Sequence, residues 1–404
     1  MPDNVGLPVN QRVRIGVVGL GTIGSQELDL WRRAGHPTVG YDVSEAALAR
    51  LGIASPALMG EHVLTHELEA LASCAVLVLC LPNLSPSLDL SMAAFDAFAE
   101  GLANLEEAGR LVVVASTVPI GFTRAFAARL GEHGRLVAHA PERFDPGRGT
   151  ELGEIARVVG GTTDRARDLA VHLYRDAGVT VHEAEPVEVA EASKLLENSF
   201  RLVNIAFINE FAELCRRLGV TASDVIAAAA TKPFAFMAHQ PGVGAGGTCI
   251  PTMPRYLLQA AENQGLRMPI LEDSVSGNDS LSDRVAEHLA TLLPSTGSEA
   301  ARILVVGATY KPNHPDVRAS AALRFARGLA RRYSVTVYDP VADPAGVGED
   351  VDLVAELPRS SFDAVVVAVK HRGVDSAALR NLSPVFFDLV RGSIEVTESS
   401  PTRS

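Results

Sequence analysis

The sequence predicts an α/β protein: two doubly wound, parallel-sheet domains joined by a long central helix and a helical segment. Three observations carry that prediction. Short β-branched runs alternate with helical stretches through the first half, with brief connections, which is the pattern of successive βαβ units. From Val187 to about Leu218 the pattern becomes one helical run without Pro or interior Gly. At residues 302–307 (RILVVG) a second strand–helix alternation begins. A chain of 404 residues with 47% hydrophobic content can bury two or three cores. The expected division is 10–186, 187–300 and 301–396.

The elements follow in order. Residues 13–19 (VRIGVVG) form a strand ending at Gly19, and helical spacing runs from about Ile23 to Ala34. TVGYD gives a second strand ending at Asp42. Further strands are expected at Val76–Leu81, Leu111–Ala115, Leu136–Ala138 and Val158–Val159. The run from Val187 is too long for an ordinary surface helix and is apolar on more than one side, which suits a domain connector and dimer spine. More helices follow to about Leu293, interrupted by the Gly-rich stretch 241–251. After the strand at 302–307 come a helix around Ala319–Tyr333, the strand VTVYDP, and strands in 362–371 and 385–390. The two strand–helix halves are the internal repeat. The first ten residues and the tail after about Ile394 read as flexible ends.

Charge and composition exclude several function classes. A net charge of −12 argues against general nucleic-acid binding, which needs a basic field to displace counterions. An anionic substrate would need locally placed cations or backbone N–H groups. The lysines are Lys194, Lys232, Lys311 and Lys370 alone, so a lysine inside a polar motif stands out. Cys74, Cys80, Cys215 and Cys249 show no CxxC and no regular spacing, so neither a disulfide framework nor a metal site is suggested. No apolar run approaches membrane-spanning length and no signal-peptide pattern opens the chain, so no membrane partner and a cytoplasmic location are expected.

The motif Gly19-Leu20-Gly21-Thr22-Ile23-Gly24 follows a strand and opens a helix. Gly19 permits a tight turn, Gly21 lets backbone approach a pyrophosphate, and Gly24 allows close helix–strand packing. The diphosphate would sit on the helix N-terminus. Asp42, at the end of the second strand, can accept from ribose hydroxyls and would repel a 2′-phosphate, so NAD is favoured over NADP. Thr22 and Ile23 in the motif, with Pro82, Ser116 and Thr117, belong to the expected cofactor-binding set. The alternative is a Gly-rich turn with no ligand. In the second half, Gly307-Ala308-Thr309-Tyr310-Lys311 lacks the fingerprint, so a second dinucleotide is not expected. Lys311 and Arg318 lie just beyond a strand end, where open sheets bind ligands. They could hold a nucleoside diphosphate, or be two solvated surface cations.

Gly242, Gly244, Gly246 and Gly247 fall within Pro241–Pro251, and Cys249 follows them after Thr248. Such a backbone approaches something closely. A lone Cys is ordinarily a small buried hydrophobe, and Cys215, in an apolar helix, reads that way. At the edge of a glycine-rich loop, oriented amides or a cation can instead favour the thiolate.

Over nearly its whole length the chain resembles the UDP-glucose/GDP-mannose dehydrogenase family. The resemblance rests on GLGTIG, STVPIGFT (116–123), APERFDPG (140–147), RVVGG (157–161), EASKLLENSFRLVNIAFINE (191–210), TKPFAFM with PGVGAGGTCIP, and GATYKPNHPDVRAS (307–320). TKPF and the KLLEN helix look closest to the branch acting on UDP-N-acetylhexosamines. The resemblance implies Rossmann-like domains, a homodimer, and NAD-dependent oxidation of a nucleotide sugar at C6, to the aldehyde and then the carboxylate. It implies Cys249 as the nucleophile, through a thiohemiacetal and a thioester. Lys194 and Asn198 match the family's K-x-x-x-N pair, an i, i+4 couple that could stabilise oxyanions. Glu142 in PERF matches the residue that activates water, with Thr117 near the same water. Arg143 and Phe144, beside Glu142, join the substrate-binding set with Lys194 and Asn198. Lys311 and Arg318 match the nucleotide end, and the four loop glycines would hold the sugar-diphosphate backbone.

The chain also departs from the pattern. Thr248 replaces the family's His before the Cys, and Met253 replaces the carboxylate four positions after it. Loss of one positioned acid–base group costs about 10²–10⁴-fold in rate. Three readings stay open: a working dehydrogenase that compensates with Glu142 or Lys194, an enzyme of altered or partial oxidation, and a protein that only binds NAD and a nucleotide sugar. A separate class, hydroxyacid dehydrogenases of the 6-phosphogluconate type, shares the glycine fingerprint and a Lys/Asn helix. It lacks the Gly-rich Cys loop and the second Rossmann-like half, both present here.

Overall fold

A computed structural model describes residues 12–54, 61–85, 87, 89–105, 111–130, 135–143, 154–292 and 300–396. The chain divides into two compact units, Met1–Glu197 and Asn198–Ser404.

The first unit opens with β1 (Ile15–Val18), α1 (Thr22–Arg33), β2 (Thr38–Tyr41), α2 (Glu45–Ala54) and β3 (His62–Thr65). It continues with β4 (Val76–Leu79), α3 (Ala93–Ala103), β5 (Leu111–Val114), α4 (Phe122–Leu130), β6 (Leu136–His139), β7 (Arg157–Gly161), α5 (Asp164–Asp176) and β8 (Val181–Ala184). The strands form one sheet in the order β3-β2-β1-β4-β5-β6-β7-β8. All its pairings are parallel except β6 with β7. Central strands such as IGVV and VLVL are buried at every position because helices cover both faces. Alternate residues feed two separate cores. Ile15, Val76 and Val113 pack with Trp31 and Tyr174, while Val18, Leu77 and Val112 pack with Phe95 and Leu102.

The helix α6 (Val187–Arg217) has 31 residues, and the division between the units falls within it. The second unit continues with α7 (Ala222–Ala229), α8 (Met253–Asn263) and α9 (Pro269–Leu292). Then come β9 (Arg302–Val306), α10 (Ala321–Ala330), β10 (Ser334–Tyr338), β11 (Asp352–Val354), β12 (Ala364–Val367), α11 (Ser376–Arg380), β13 (Val385–Asp388) and β14 (Ser393–Val396). Its sheet has the order β11-β10-β9-β12-β13-β14. Both sheets therefore reverse direction beside their first strand, between β1 and β4 and between β9 and β12. That reversal opens the crevice where such sheets take ligands.

The predicted fold class is observed, with additions. The edge strands β3, β8 and β11 escape a search for apolar runs because each is only partly buried. The sheets are not wholly parallel, since β14 pairs antiparallel with β13, Val385 facing Val396. That strand also corrects the expectation of a flexible tail from Ile394: backbone pairing holds residues 393–396. The first ten residues and the tail beyond Val396 lie outside the described residues.

Candidate active site

The carboxyl edge of the first sheet assembles the glycine turn. Gly19 has φ +87°, and a Cβ there would lie 2.6 Å from the Cys80 carbonyl oxygen. At Gly24 a Cβ would stand 1.7 Å from the Gly19 carbonyl oxygen. Gly21 is different: its Cβ would meet nothing within 4 Å. Two glycines of the motif are thus required by protein packing and the third leaves open space. No side chain caps α1, so its first-turn N–H groups remain available to an anion. Asp42 is locked beside the turn, accepting from the Leu20 N–H at 2.6 Å and the Ser44 N–H at 2.8 Å. Thr22 is exposed and Ile23 half-buried on the same turn. Pro82 is exposed just past β4. Beyond β5, the Ser116 hydroxyl donates to the Leu81 carbonyl at 2.7 Å, and Asn83 donates its amide to the Thr117 carbonyl at 2.7 Å. These residues line one sheet edge and fit a dinucleotide.

Glu142 lies on the same edge, after β6, and is buried. Its carboxylate meets the Arg157 guanidinium at 2.8 Å and accepts the Arg143 N–H at 2.7 Å. Arg157 also reaches Glu27 of α1 at 2.5 Å. Arg143 is itself held, by the Ala156 carbonyl at 2.8 Å and by Glu197 at 2.7 Å. Phe144 lies outside the described residues. Sequence reasoning quoted Arg157 inside RVVGG but gave it no role, and passed over Glu27. The available signal was a charged residue within the apolar face of α1, between Gly24 and Leu28.

The helix α6 is fixed to the STVPIGFT loop by Glu191. Its buried carboxylate accepts from the Gly121 and Thr123 N–H groups at 2.5 and 2.7 Å, which caps α4. Burial raises the Glu191 pKa, while the Thr123 and Gly121 donors oppose that rise. Lys194 and Asn198 follow along α6, one turn apart and both half-buried. The Asn198 side-chain N–H₂ is buried with no hydrogen-bond partner, a donor with unused capacity.

In the second unit the glycine loop packs against protein. A Cβ on Gly246 would meet the Ala319 carbonyl oxygen at 2.8 Å, and one on Gly247 the Tyr310 ring at 2.9 Å. Gly244 has φ +117°, beside Asn278. Asn278 donates to the Ala245 carbonyl and accepts its N–H. Gly242 donates its N–H to Asn209 and borders a cavity of about 640 Å³ lined also by Glu213, Arg216, Arg284 and His288. The loop thereby holds Cys249 in place at its end. Cys249 is exposed, while Cys215 is buried as its apolar helix suggests. Met253, at the start of α8, is buried and donates its N–H to the Cys249 carbonyl at 2.9 Å.

Arg318 does not stand alone as a solvated cation. It binds Asp316 at 2.7 Å, which is the main reason its pKa is raised; Tyr310 and Cys249 add to the effect, so it lies in electrostatic range of Cys249. Lys311 sits over the Tyr310 ring, 5.7 Å from its centre. A buried pair missed in the sequence supports this edge. Asp339, after β10, accepts from the Ala308 and Thr309 N–H groups at 2.7 and 3.1 Å and from His371 Nε2 at 2.9 Å. His371 Nδ1 in turn accepts the Asn313 N–H at 2.9 Å, so the loop carrying Lys311 is tied to β12. Burial pushes Asp339 up, but His371 and the backbone donors outweigh it and hold it at about 2. The signal was available, because Asp339 in VTVYD repeats the position of Asp42 in TVGYD. Among the described residues no cluster of His, Cys, Asp and Glu could hold a metal ion, and no helix is long and apolar enough to cross a membrane.

Residues 13–178 match the NAD binding domain of the UDP-glucose/GDP-mannose dehydrogenase family, 188–280 its central domain, and 304–391 its UDP binding domain. The chain is 32% identical to a UDP-N-acetyl-D-mannosamine dehydrogenase of Pyrococcus horikoshii, over 89% of this chain and 90% of that protein. It is 30% identical to a UDP-N-acetyl-D-glucosamine 6-dehydrogenase of Pseudomonas aeruginosa, over 92% and 93%. Among solved structures, a UDP-D-ManNAc dehydrogenase from Pyrococcus horikoshii superposes with a TM-score of 0.80 at 28% identity, covering 96% of this chain and 97% of that one. A UDP-glucose dehydrogenase from Pyrobaculum islandicum gives 0.80 at 26% identity, covering 94% and 98%. The chain belongs to the UDP-glucose/GDP-mannose dehydrogenase family and is an NAD-dependent nucleotide-sugar dehydrogenase.

Proposed function

We propose that the protein oxidises the C6 hydroxyl of a UDP-N-acetylhexosamine to a carboxylate through a covalent adduct on Cys249. Four electrons leave C6 as two hydrides, one water enters, and three protons are released. Bound NAD supplies the hydride acceptor, one molecule per step. The chain's residues do the rest. The Cys249 sulfur adds to the C6 aldehyde and makes a tetrahedral carbon that can lose hydride, which yields a thioester. Lys194 and Asn198 donate to the oxygen of that adduct. Glu142 takes the proton of the water that cleaves the thioester and returns the thiol, with Thr117 placed near that water. Arg143 and Phe144 belong, by the family motif, to the residues proposed to bind the sugar. Gly242, Gly244, Gly246 and Gly247 shape the loop for the sugar diphosphate, and Lys311 and Arg318 serve the uridine diphosphate end. Pro82, Ser116 and Thr117 join Gly19–Gly24 and Asp42 around NAD.

The observation that carries this reading is the exposed Cys249 at the end of a protein-packed glycine loop. Asn198 adds a buried donor without a partner, as an oxyanion ligand should have. Cys249→Ser should lose acid formation while NAD binding is kept. Acid production equal to wild type would remove Cys249 from the mechanism. The N-acetylhexosamine assignment follows the two curated relatives above. We retain the division 10–186 for NAD, 187–300 for the helical segment and 301–396 for the nucleotide. A cytoplasmic location is part of the proposal, because the two small-molecule partners it invokes, NAD and a nucleotide sugar, are cytoplasmic metabolites.

A homodimer is part of the proposal. Leu196, Phe200, Phe207 and Leu214 of α6 are all exposed, at spacings of four, seven and seven residues. That is one apolar stripe, which a second copy would cover. A second reading is favoured by Met253. It is apolar and buried where the family carries a carboxylate, so oxidation that stops at the aldehyde is its natural consequence.

A further inference from the structure

The loop that carries Ser116 and Thr117 is held at both ends, and its far end is held by a residue to which the reaction scheme gives no role. At its start the Ser116 hydroxyl donates to the Leu81 carbonyl, and Asn83 donates to the Thr117 carbonyl. Val118, next in the chain, is wholly buried. At its end the chain turns through Gly121, at φ +89°, and enters α4. There the two oxygens of Glu191 take one backbone N–H each, Oε2 from Gly121 at 2.5 Å and Oε1 from Thr123 at 2.7 Å. Glu191 has no exposed surface.

The segment that carries Glu191 is itself fixed. A Cβ on Gly160 of β7 would lie 2.9 Å from the Val187 Cα and 3.3 Å from the Val187 carbonyl oxygen, so this glycine lets the first turn of α6 close on the sheet. Val187 and Ala190 are wholly buried. One turn before Glu191, Glu188 pairs with Arg124 at 2.7 Å on the surface, a second tie between α6 and α4. An exposed pair of that kind contributes little. The buried tie differs in kind. Backbone N–H groups only donate, so each needs an acceptor of its own, and a carboxylate supplies two. A glutamine would supply one oxygen and turn an N–H₂ toward the other donor.

The strand order says which part of the cofactor this loop meets. Along the sheet edge run β2 with Asp42, β1 with the glycine turn, β4 with Pro82, and β5 with Ser116 and Thr117. A dinucleotide with its adenosine ribose at Asp42 and its diphosphate at the turn extends its nicotinamide end toward β4 and β5.

We propose that Glu191 is a positioning residue for the nicotinamide end of NAD. By fixing Gly121 and Thr123 to α6 it holds Ser116 and Thr117 where that end lies. The inference rests on the assignment of Ser116 and Thr117 to the cofactor set, and its test needs no sugar substrate.

Calorimetric titration of the intact protein with NAD and, separately, with ADP-ribose, which lacks only the nicotinamide ring, reads the two ends of the cofactor. Glu191→Gln should weaken NAD about tenfold or more and leave ADP-ribose within about threefold. Equal weakening of both ligands would make Glu191 a general support of the fold, and no weakening of either would show that the loop keeps its place without it; each result overturns the proposal. Arg124→Gln removes only the exposed tie and should bind both ligands as wild type does. A loss there equal to that of Glu191→Gln would assign the effect to packing of α4 on α6 and overturn the proposal as well. If Glu191→Gln does not fold, Glu191→Asp, one methylene shorter and able to reach a single donor, should show the same NAD-selective loss, and its absence there is equally decisive. Thr117→Ala tests the underlying assignment by itself. No NAD-selective loss in that variant would remove the loop from the cofactor set, whereas a loss there and none in Glu191→Gln would remove Glu191 alone.

Discussion

Gly21 and Gly24 stand three residues apart in one motif, yet the structure assigns them opposite costs. A Cβ at Gly24 would fall 1.7 Å from the Gly19 carbonyl oxygen and 2.8 Å from its carbon. These are backbone atoms of a turn already at φ +87°, so they cannot retreat without breaking it. Gly24→Ala should cost about 3 kcal/mol, the upper part of the range for overpacking. For a unit of this size that lowers Tm by roughly 6–12 °C. At Gly21 the backbone is extended (φ −66°, ψ −164°), a conformation alanine adopts freely, and the added methyl meets nothing within 4 Å. Gly21→Ala should leave stability within about 0.5 kcal/mol. The methyl would occupy the space the pyrophosphate approaches, so NAD affinity should fall at least tenfold, about 1.4 kcal/mol. Thermal melts without cofactor and calorimetric NAD titrations separate the two effects. A Gly21→Ala protein with unaltered NAD affinity would refute the reasoning, as would one destabilised as much as Gly24→Ala.

Two further outcomes follow from the second unit and from α6. Asp339 has its pKa depressed from the usual 3.8 to about 2, so it contributes stability that is full above pH 3.8 and is lost as pH falls through 2. That contribution is about 2 kcal/mol. Asp339→Asn should therefore be less stable than wild type at pH 7 by that amount in urea unfolding, with the gap closing as pH falls toward 2; a gap that does not change with pH would contradict this. Phe207→Glu places a charge in the apolar stripe of α6, where each large side chain contributes about 1.5–3 kcal/mol when buried. Light scattering should find a dimer for wild type and a monomer for the variant; an unaltered dimer, or a monomeric wild type, would refute the proposed interface.

Much of the architecture was legible because central parallel strands are buried on both faces and read as continuous apolar runs, as in VLVL and AVVV. The long α6 was legible because no Pro or Gly interrupts it. The edge strands were not, since HVLT, VHEA and DLV are partly exposed and carry no apolar run. The glycine fingerprint could be assigned by function residue by residue, and Gly19, Gly21 and Gly24 each meet the surroundings that assignment requires. The glycine loop before Cys249 was only half legible. A close approach was evident, but Tyr310 and Ala319, which meet Gly246 and Gly247, are more than sixty residues away in the chain. A longer separation hid the pairing of Glu27 on α1 with Arg157 on β7, 130 residues away. Pairing of buried charges across such separations is a tertiary property, and only the misplaced polarity of Glu27 hints at it in the sequence.

The central claim is four-electron oxidation through Cys249 despite Met253, and product stoichiometry tests it most directly. Purified protein would be given NAD and a panel of UDP-N-acetylhexosamines and other nucleotide sugars, with NADH counted and product mass determined. The account predicts two NADH per sugar and a carboxylate product. One NADH with an aldehyde or keto product, or no turnover by a protein that binds NAD, would contradict it.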